Sequence, residues 1–521
     1  MYRRTLLTTS LAAPLAAPAI GQAQTDDRPS ITVAVQKIAN SNTLDIAREN
    51  SNVGTRHFSC YTEVLIDTDW IDTLRPRPGL ALSWERKDAR SVDVALRPGV
   101  RFHNGDEMTA EDVAASFGPE RLMGGSSGAA ARVPREVSSY GRAVFPGLSV
   151  EITGRHSLRF ISERPDPVLD KRLGHRIGIV VNKRALEEAP NWLAWSRKPI
   201  GTGPYRVADF RPDNMLVLEA FDEYWGGRPP LKRIRFVEVP EVSARIAGLL
   251  SGEYQFACDI PPDQIPEIER NRGFEVLGGL IANHRFITFD KSHAQLADPR
   301  MRRALSLSID RDAIVQGLWS GRTEVPRGMQ FPFYGDMYLA DWPKPRFDVD
   351  EARKLVREAG YRGEPIPYRL LNNYYTAQTP TAQVLVEMWR AAGLNVQIQM
   401  RENWAQISAP GGRGLRDWSS TVFIADPVSN MPNTWGRNGS FTAGGEWSNE
   451  EAFVAADALE AEMDPTRRRA AMRKLLTVLE HDDPAYAMLH QAANFTGKRR
   501  DIKWKAAQSF LMDFRPGNWG V

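Results

Sequence analysis

The chain reads as an α/β protein on three observations. Short apolar strands alternate with capped helices along its length, the composition is that of an ordinary soluble protein, and no internal repeat or low-complexity stretch intervenes. Its 521 residues suffice for two or three domains, each with its own core. With 42% hydrophobic and 25% charged residues, a disordered chain is excluded. The 67 Lys+Arg against 64 Asp+Glu leave a formal charge of +3 and form no long basic run, so no nucleic-acid partner is expected. The short clusters Arg467-Arg468-Arg469 and Lys498-Arg499-Arg500 read as solvated faces.

The N-terminus departs from this pattern. Arg3-Arg4 precede an apolar run over 6–20, interrupted by Pro14 and Pro18, and Gly21 and Ala23 supply the small residues of a cleavage site. That is the make-up of a signal peptide over 1–23, too short and too broken for a spanning helix. The arginine pair fits either a twin-arginine export signal or an ordinary secretory one. Cleavage removes two arginines and no acid, taking the charge from +3 to +1. No cysteine lies near the signal, so a lipid anchor is not expected and a freely diffusing periplasmic protein is. Cys60 and Cys258 are the only cysteines, and an oxidising compartment allows them to be paired or to be two buried thiols.

The elements follow in order. Residues 31–35 form a first strand, and 92–96 and 234–239 alternate as half-buried strands do. Asn104-Gly105 makes a tight turn, after which Thr109 with Asp112 caps a helix. Pro199-Ile200-Gly201-Thr202-Gly203-Pro204-Tyr205 is a rigid loop entering a strand. Asp298 with Pro299 starts a helix that places Met301, Ala304, Leu305 and Ser308 on one face, and Asp310 starts another to about Trp319. Asp348 and Glu351 cap a helix over 352–359, closed by Gly360. A further helix to Ala392 is followed by Gly393 and a strand, and 421–426 reads as an apolar strand ending on Asp426.

Several of these segments carry a resemblance. Leu96-Arg97-Pro98-Gly99-Val100-Arg101-Phe102-His103-Asn104-Gly105 through Thr109-Ala110-Glu111-Asp112-Val113 is one. The Pro199–Tyr205 loop, Phe221-Asp222-Glu223-Tyr224-Trp225-Gly226-Gly227-Arg228-Pro229, and the helices begun by Asp298 and Asp348 are others. Together they resemble the family 5 extracytoplasmic solute-binding proteins of ABC transporters, the dipeptide, oligopeptide and nickel-binding type. The resemblance implies a two-lobed periplasmic binding protein fold, a Venus-flytrap with an enlarged first lobe. Lobe one would comprise 24–285 and 492–521, with an extra subdomain around 60–190, and lobe two 286–491. It implies a monomer that captures a small organic solute, peptide-like by preference. The solute passes to an ABC permease in the inner membrane, with no catalysis, metal or cofactor.

The ligand-binding candidates follow from it. Ala425-Asp426 matches an Ala-Asp pair whose acid meets the α-ammonium of a peptide, while Val422-Phe423 stands where Gly-Trp is usual and Pro427 follows directly. Asp426 therefore either reaches the cleft and favours an amine or caps a turn with Pro427. Phe423, Trp404, Tyr374, Tyr375 and Trp435 are expected as cleft aromatics of lobe two, and Asn42, Cys60 and Tyr61 as the pocket floor of lobe one.

The residues also bear on two other classes. Gly124-Gly125-Ser126-Ser127-Gly128 fits the G-x-S-x-G of a nucleophile elbow, but a helix rather than a strand precedes it, which favours a loop over a secreted hydrolase. The eight histidines form no H-E-x-x-H and no cluster with Cys or carboxylates. A periplasmic sensor or chaperone subunit is the remaining alternative.

Overall fold

The computed structural model describes Met1 and residues 26–49, 51–123 and 139–520. The signal segment and the Gly124–Gly128 motif lie outside these residues.

A sheet of ten strands runs through the molecule. From one edge its order is Val396–Arg401, Ile366–Leu371, Leu415–Thr421, Phe274–Phe289, Tyr486–Arg499, Phe256–Ala257, Ser30–Val35, Arg233–Glu238, Met215–Ala220 and Tyr205–Arg211. Parallel pairs lie towards each end, Ile366–Leu371 with Val396–Arg401 and Ser30–Val35 with Arg233–Glu238. The two long central strands, Phe274–Phe289 and Tyr486–Arg499, are antiparallel and belong to both halves. The first part of Phe274–Phe289 is half-buried or exposed at every residue, whereas from Ile281 onward every residue is buried. Their pairing slips between Leu280 and His284, which divides the sheet into two lobes at mid-strand. Gly278 precedes the slip at φ +125°, and a Cβ there would stand 2.0 Å from the Asn494 carbonyl oxygen, so only glycine fits.

A separate four-stranded antiparallel sheet orders Ala81–Arg86, Ser91–Leu96, Ser157–Ser162 and Leu148–Gly154 and encloses its own core around Phe102, Phe117, Phe145 and Phe160. Lobe one packs about Val33, Phe236 and Phe256, and lobe two about Trp389 and, on its other side, about Trp435 and Trp447.

The capped helices stand where their signals lie. The Thr109 N–H donates to Asp112 Oδ2 at 3.0 Å at the start of Ala110–Phe117. Asp298, Asp310 and Asp348 each accept a backbone N–H at the head of Pro299–Leu307, Arg311–Trp319 and Val349–Glu358. Gly360 and Gly393 both take positive φ past the helices they close. One strand differs from expectation: it spans Leu415–Thr421, and 422–426 leaves the sheet in bends. The backbone N–H groups there are taken by Ala282 and by Ser429, and Asp426 opens a short turn at Pro427–Ser429 instead of ending the strand.

Three motifs meet at one joint. The Gly201 and Gly203 backbones lie against the helix Phe58–Tyr61 so closely that added Cβ atoms would stand 2.1 Å from the Tyr61 oxygen and 2.7 Å from the Cys60 oxygen. The His103 N–H donates to the Gly201 oxygen at 3.0 Å. Thr202 Oγ1, Tyr224 Oη and Trp225 Nε1 all donate to the Glu63 carboxylate, at 2.9, 2.8 and 2.8 Å. Burial outweighs these donors and pushes the Glu63 carboxyl up to about 7. The segments that carry the resemblance thus clamp the subdomain onto lobe one.

Candidate functional site

A crevice lies where the two lobes face each other across the central strands. Lobe one contributes Gln36, Asn52, Val53, Arg56 and Asp259, the strands contribute Arg285 and Ala492, and lobe two contributes Trp319, Tyr374 and Tyr375. Side chains cross it directly. Asn52 Nδ2 donates to Ser419 Oγ and Thr421 Oγ1 donates to Asn52 Oδ1, both at 2.9 Å. Asn40 Nδ2 donates to Tyr374 Oη at 2.9 Å and Gln36 Nε2 to the Asn373 oxygen at 3.3 Å. The lobes are therefore closed on one another, and about 30 Å³ of free space remains, room for roughly one or two waters.

Local sequence explains the aromatic wall. Tyr374 and Tyr375 fall between the strand Ile366–Leu371 and the helix Gln378–Ala391, and Trp404 opens the short helix Trp404–Ser408 after the strand Val396–Arg401. Tyr374 meets Tyr375 edge-on at 4.8 Å between ring centroids and Trp404 at 4.9 Å, and Trp404 meets Trp418 at 5.3 Å. Val53 of lobe one packs into the same cluster. Burial pushes the phenols of Tyr374 and Tyr375 up, so both remain neutral donors.

Two arginines face this wall. The Arg285 guanidinium stacks on Tyr375 at 3.4 Å from the ring centroid and donates to the Trp418 oxygen at 3.1 Å. Arg56 Nη2 donates to Asp259 Oδ1 at 2.7 Å. Burial opposes the Arg56 charge, yet Asp259 beside it holds the guanidinium protonated and pushes its pKa up.

The remaining expected residues stand elsewhere. Trp435 is a correction: it was expected on an exposed loop, but it is fully buried in lobe two, stacked on Tyr486 at 4.9 Å and edge-on to Phe441 at 5.8 Å. Cys60 and Tyr61 are core, not pocket floor: the Tyr61 hydroxyl donates to the Leu44 oxygen, and Cys60 lies against Met512. Cys60 and Cys258 are free and buried. Asn42 is exposed, and its oxygen accepts from Arg197 Nε at 3.3 Å. Asp426 is wholly buried, with Oδ2 and Oδ1 accepting from Arg468 Nη1 and Nη2 at 2.9 and 2.5 Å, and Oδ1 also capping Val428 N. Its capping role is the one the geometry displays. Phe423 lies under the Arg176 guanidinium at 4.1 Å, facing a second cavity of about 380 Å³ that is lined mainly by lobe one and the subdomain, Glu63, Trp70 and Arg515 among them.

Of the expected residues, Tyr374 and Tyr375 line the crevice and Trp404 packs behind Tyr374, while Asn52, Arg56, Asp259 and Arg285 were not among those expected. No spacing marks those four, because three separate segments supply them.

The comparisons agree with this architecture. Residues 75–445 match the model of the bacterial extracellular solute-binding proteins, family 5. The glutathione-binding protein GsiB of Pectobacterium atrosepticum is 27% identical over 339 residues, 64% of this chain and 63% of the relative's length. The chain thus spans somewhat less than two thirds of that relative. The dipeptide-binding protein of Escherichia coli is 25% identical over 466 residues, 83% of this chain and 84% of that one. Among solved structures, the dipeptide-binding protein from Pseudoalteromonas sp. SM9913 in complex with Met-Leu superposes with a TM-score of 0.84 at 19% identity, over 94% of this chain and 99% of that chain. Two lobes on shared strands and a family match over most of the chain lead to one assignment: this protein belongs to the family 5 bacterial extracellular solute-binding proteins.

Proposed function

We propose that this protein is the periplasmic solute-binding component of an ABC importer. It closes its lobes over a small peptide-like solute and delivers it, unaltered, to the permease. The observation that carries the reading is the crevice itself, walled by both lobes and crossed by hydrogen bonds that exist only when the lobes meet. The names of the relatives, glutathione-binding and dipeptide-binding, support a peptide-like solute. Among the described residues no helix is long and apolar enough to cross a membrane.

Mechanistically, the about 30 Å³ free in this crevice is too small for a peptide, which needs a site of roughly 300 Å³ or more. The solute therefore enters an open form and replaces side-chain contacts across the crevice as the central strands flex. A thermal-shift screen of dipeptides, oligopeptides, glutathione, sugars and metal chelates tests this. A peptide at a hundredfold its Kd adds about 2.7 kcal/mol of stability. Stabilisation by a sugar or chelate with none by peptides would overturn the peptide reading.

A further inference from the structure

We propose that the subdomain is the catch that holds the two lobes shut: its segment 168–176 grips lobe two in the closed form, and the Arg172–Glu460 ion pair engages and releases. The inference goes beyond the solute-binding reading and rests only on its two-lobed closure. The gripping residues stand three or four positions apart, on one face of the short helix Leu169–Arg172 and the turn after it. Val168 is buried in the lobe-two core around Trp435 and Trp447. Lys171 Nζ donates to the Ala425 oxygen at 3.3 Å and to Asp426 Oδ2 at 3.4 Å. Arg172 Nη2 donates to Glu460 Oε1 at 3.2 Å, and the Arg176 guanidinium covers the Phe423 ring. Beside them the helix Ser139–Val144 lies against Met431–Trp435 of lobe two.

The placing of charge suits a contact that breaks and re-forms. Arg172 is 2% exposed, and its Nε and Nη1 stay within the subdomain, donating to Asp166 Oδ2 and to the Val144 oxygen, both at 2.8 Å. Asp426 is likewise held inside lobe two by Arg468. Parting the lobes therefore leaves no buried charge unpaired. Arg172 keeps Asp166, Asp426 keeps Arg468, and the members that already reach water, Glu460 and Lys171, become hydrated. A buried pair without such reserves resists opening, because losing one partner leaves the other uncompensated. The joint at Glu63 ties the subdomain to lobe one. A grip of the subdomain on lobe two consequently closes the lobes from outside the crevice, and raises the closed population with or without a solute. Solute affinity then depends partly on contacts that the solute never touches.

Pulsed electron-paramagnetic-resonance distances in the full mature chain, without solute, test the catch. Nitroxide labels on Ile152→Cys in the subdomain and Val454→Cys in lobe two, both exposed positions, read the closed and open forms as short and long separations. Cys60 and Cys258 are buried and stay unlabelled. The expected result is a populated short separation in the parent, and a closed-to-open ratio at least about twofold lower in Glu460→Gln and in Lys171→Met. Thermal melting shows whether each variant is folded. Lys171 is 39% exposed, so Lys171→Met decides in the same terms if Glu460→Gln is not folded. The proposal is overturned if the parent shows only the long separation, or if the folded variant lowers the ratio by less than about twofold. Because no solute is added, this result stands apart from the peptide reading: a chain that captures no peptide still gives the shift, and one that captures peptides without the shift has no catch here.

Discussion

At the scale of single residues, Asp426 is the instructive case. The Ala-Asp-Pro string makes both a cleft acid and a turn cap reasonable, and nothing within a few residues decides between them. The decision lies 42 positions away, in Arg468, whose guanidinium grips both carboxylate oxygens in a buried pair. Removing one partner leaves a charge uncompensated in the interior, which destabilises by about 3–5 kcal/mol. Asp426→Asn should therefore lower the unfolding free energy in urea by about that amount, while the folded fraction retains its solute affinity. A variant as stable as the parent that no longer binds solute would restore the amine-anchor role. Trp435 teaches the same lesson, since an indole in a polar-looking segment is buried by Phe441 from the next short helix and by Phe286 and Tyr486 from two distant segments.

At the scale of elements, helices were legible because caps are local: Asp298, Asp310 and Asp348 bond to N–H groups two or three residues ahead. Strand limits were less so, since the Leu415–Thr421 strand ends where its neighbour Phe274–Phe289 changes register. Gly278 marks that region. Gly278→Ala forces a Cβ against the Asn494 oxygen in a strained φ, and should lower stability by about 1–3 kcal/mol or abolish soluble expression, as read by thermal melting. The joint at Glu63 yields a prediction in pH. Its carboxyl titrates at about 7 when folded and near 4.5 when unfolded, with burial the chief cause. Between these values the unfolded chain has released a proton that the native chain keeps. Glu63 therefore draws stability down as pH rises from about 4.5 to 7, by up to about 1.4 kcal/mol per pH unit. The buried His57 and half-buried His103 imidazoles, held down to about 4 by desolvation, act in the opposite sense, their contribution being lost as pH falls below 6.5. Comparing Glu63→Gln with the parent cancels the histidines: the stability difference should move in the variant's favour from pH 4.5 to 7. A flat difference would refute the assignment.

At the scale of the whole molecule, function depends on how readily two lobes part. The Asn52 side chain bonds to Ser419 and Thr421 across the gap, and each such bond contributes about 0.5–1.5 kcal/mol to the closed form alone. Asn52→Ala should therefore shift the unliganded protein towards the open form, raising the radius of gyration in small-angle X-ray scattering. It should also weaken solute binding without lowering the melting temperature of the lobes. An unchanged scattering profile together with unchanged affinity would mean that closure does not depend on this contact.

By itself the sequence determined the α/β class, the capped helices, the family motifs and the aromatic run at Tyr374 and Tyr375, because each is written in residues a few positions apart. Tertiary structure alone decided which charges line the crevice. Arg56, Asp259 and Arg285 come from lobe one and the central strand, and only their burial and pairing separate them from the many other arginines and acids of the chain. Whether a charge is neutralised or left open depends on its neighbours in space, and long-range contacts set those neighbours.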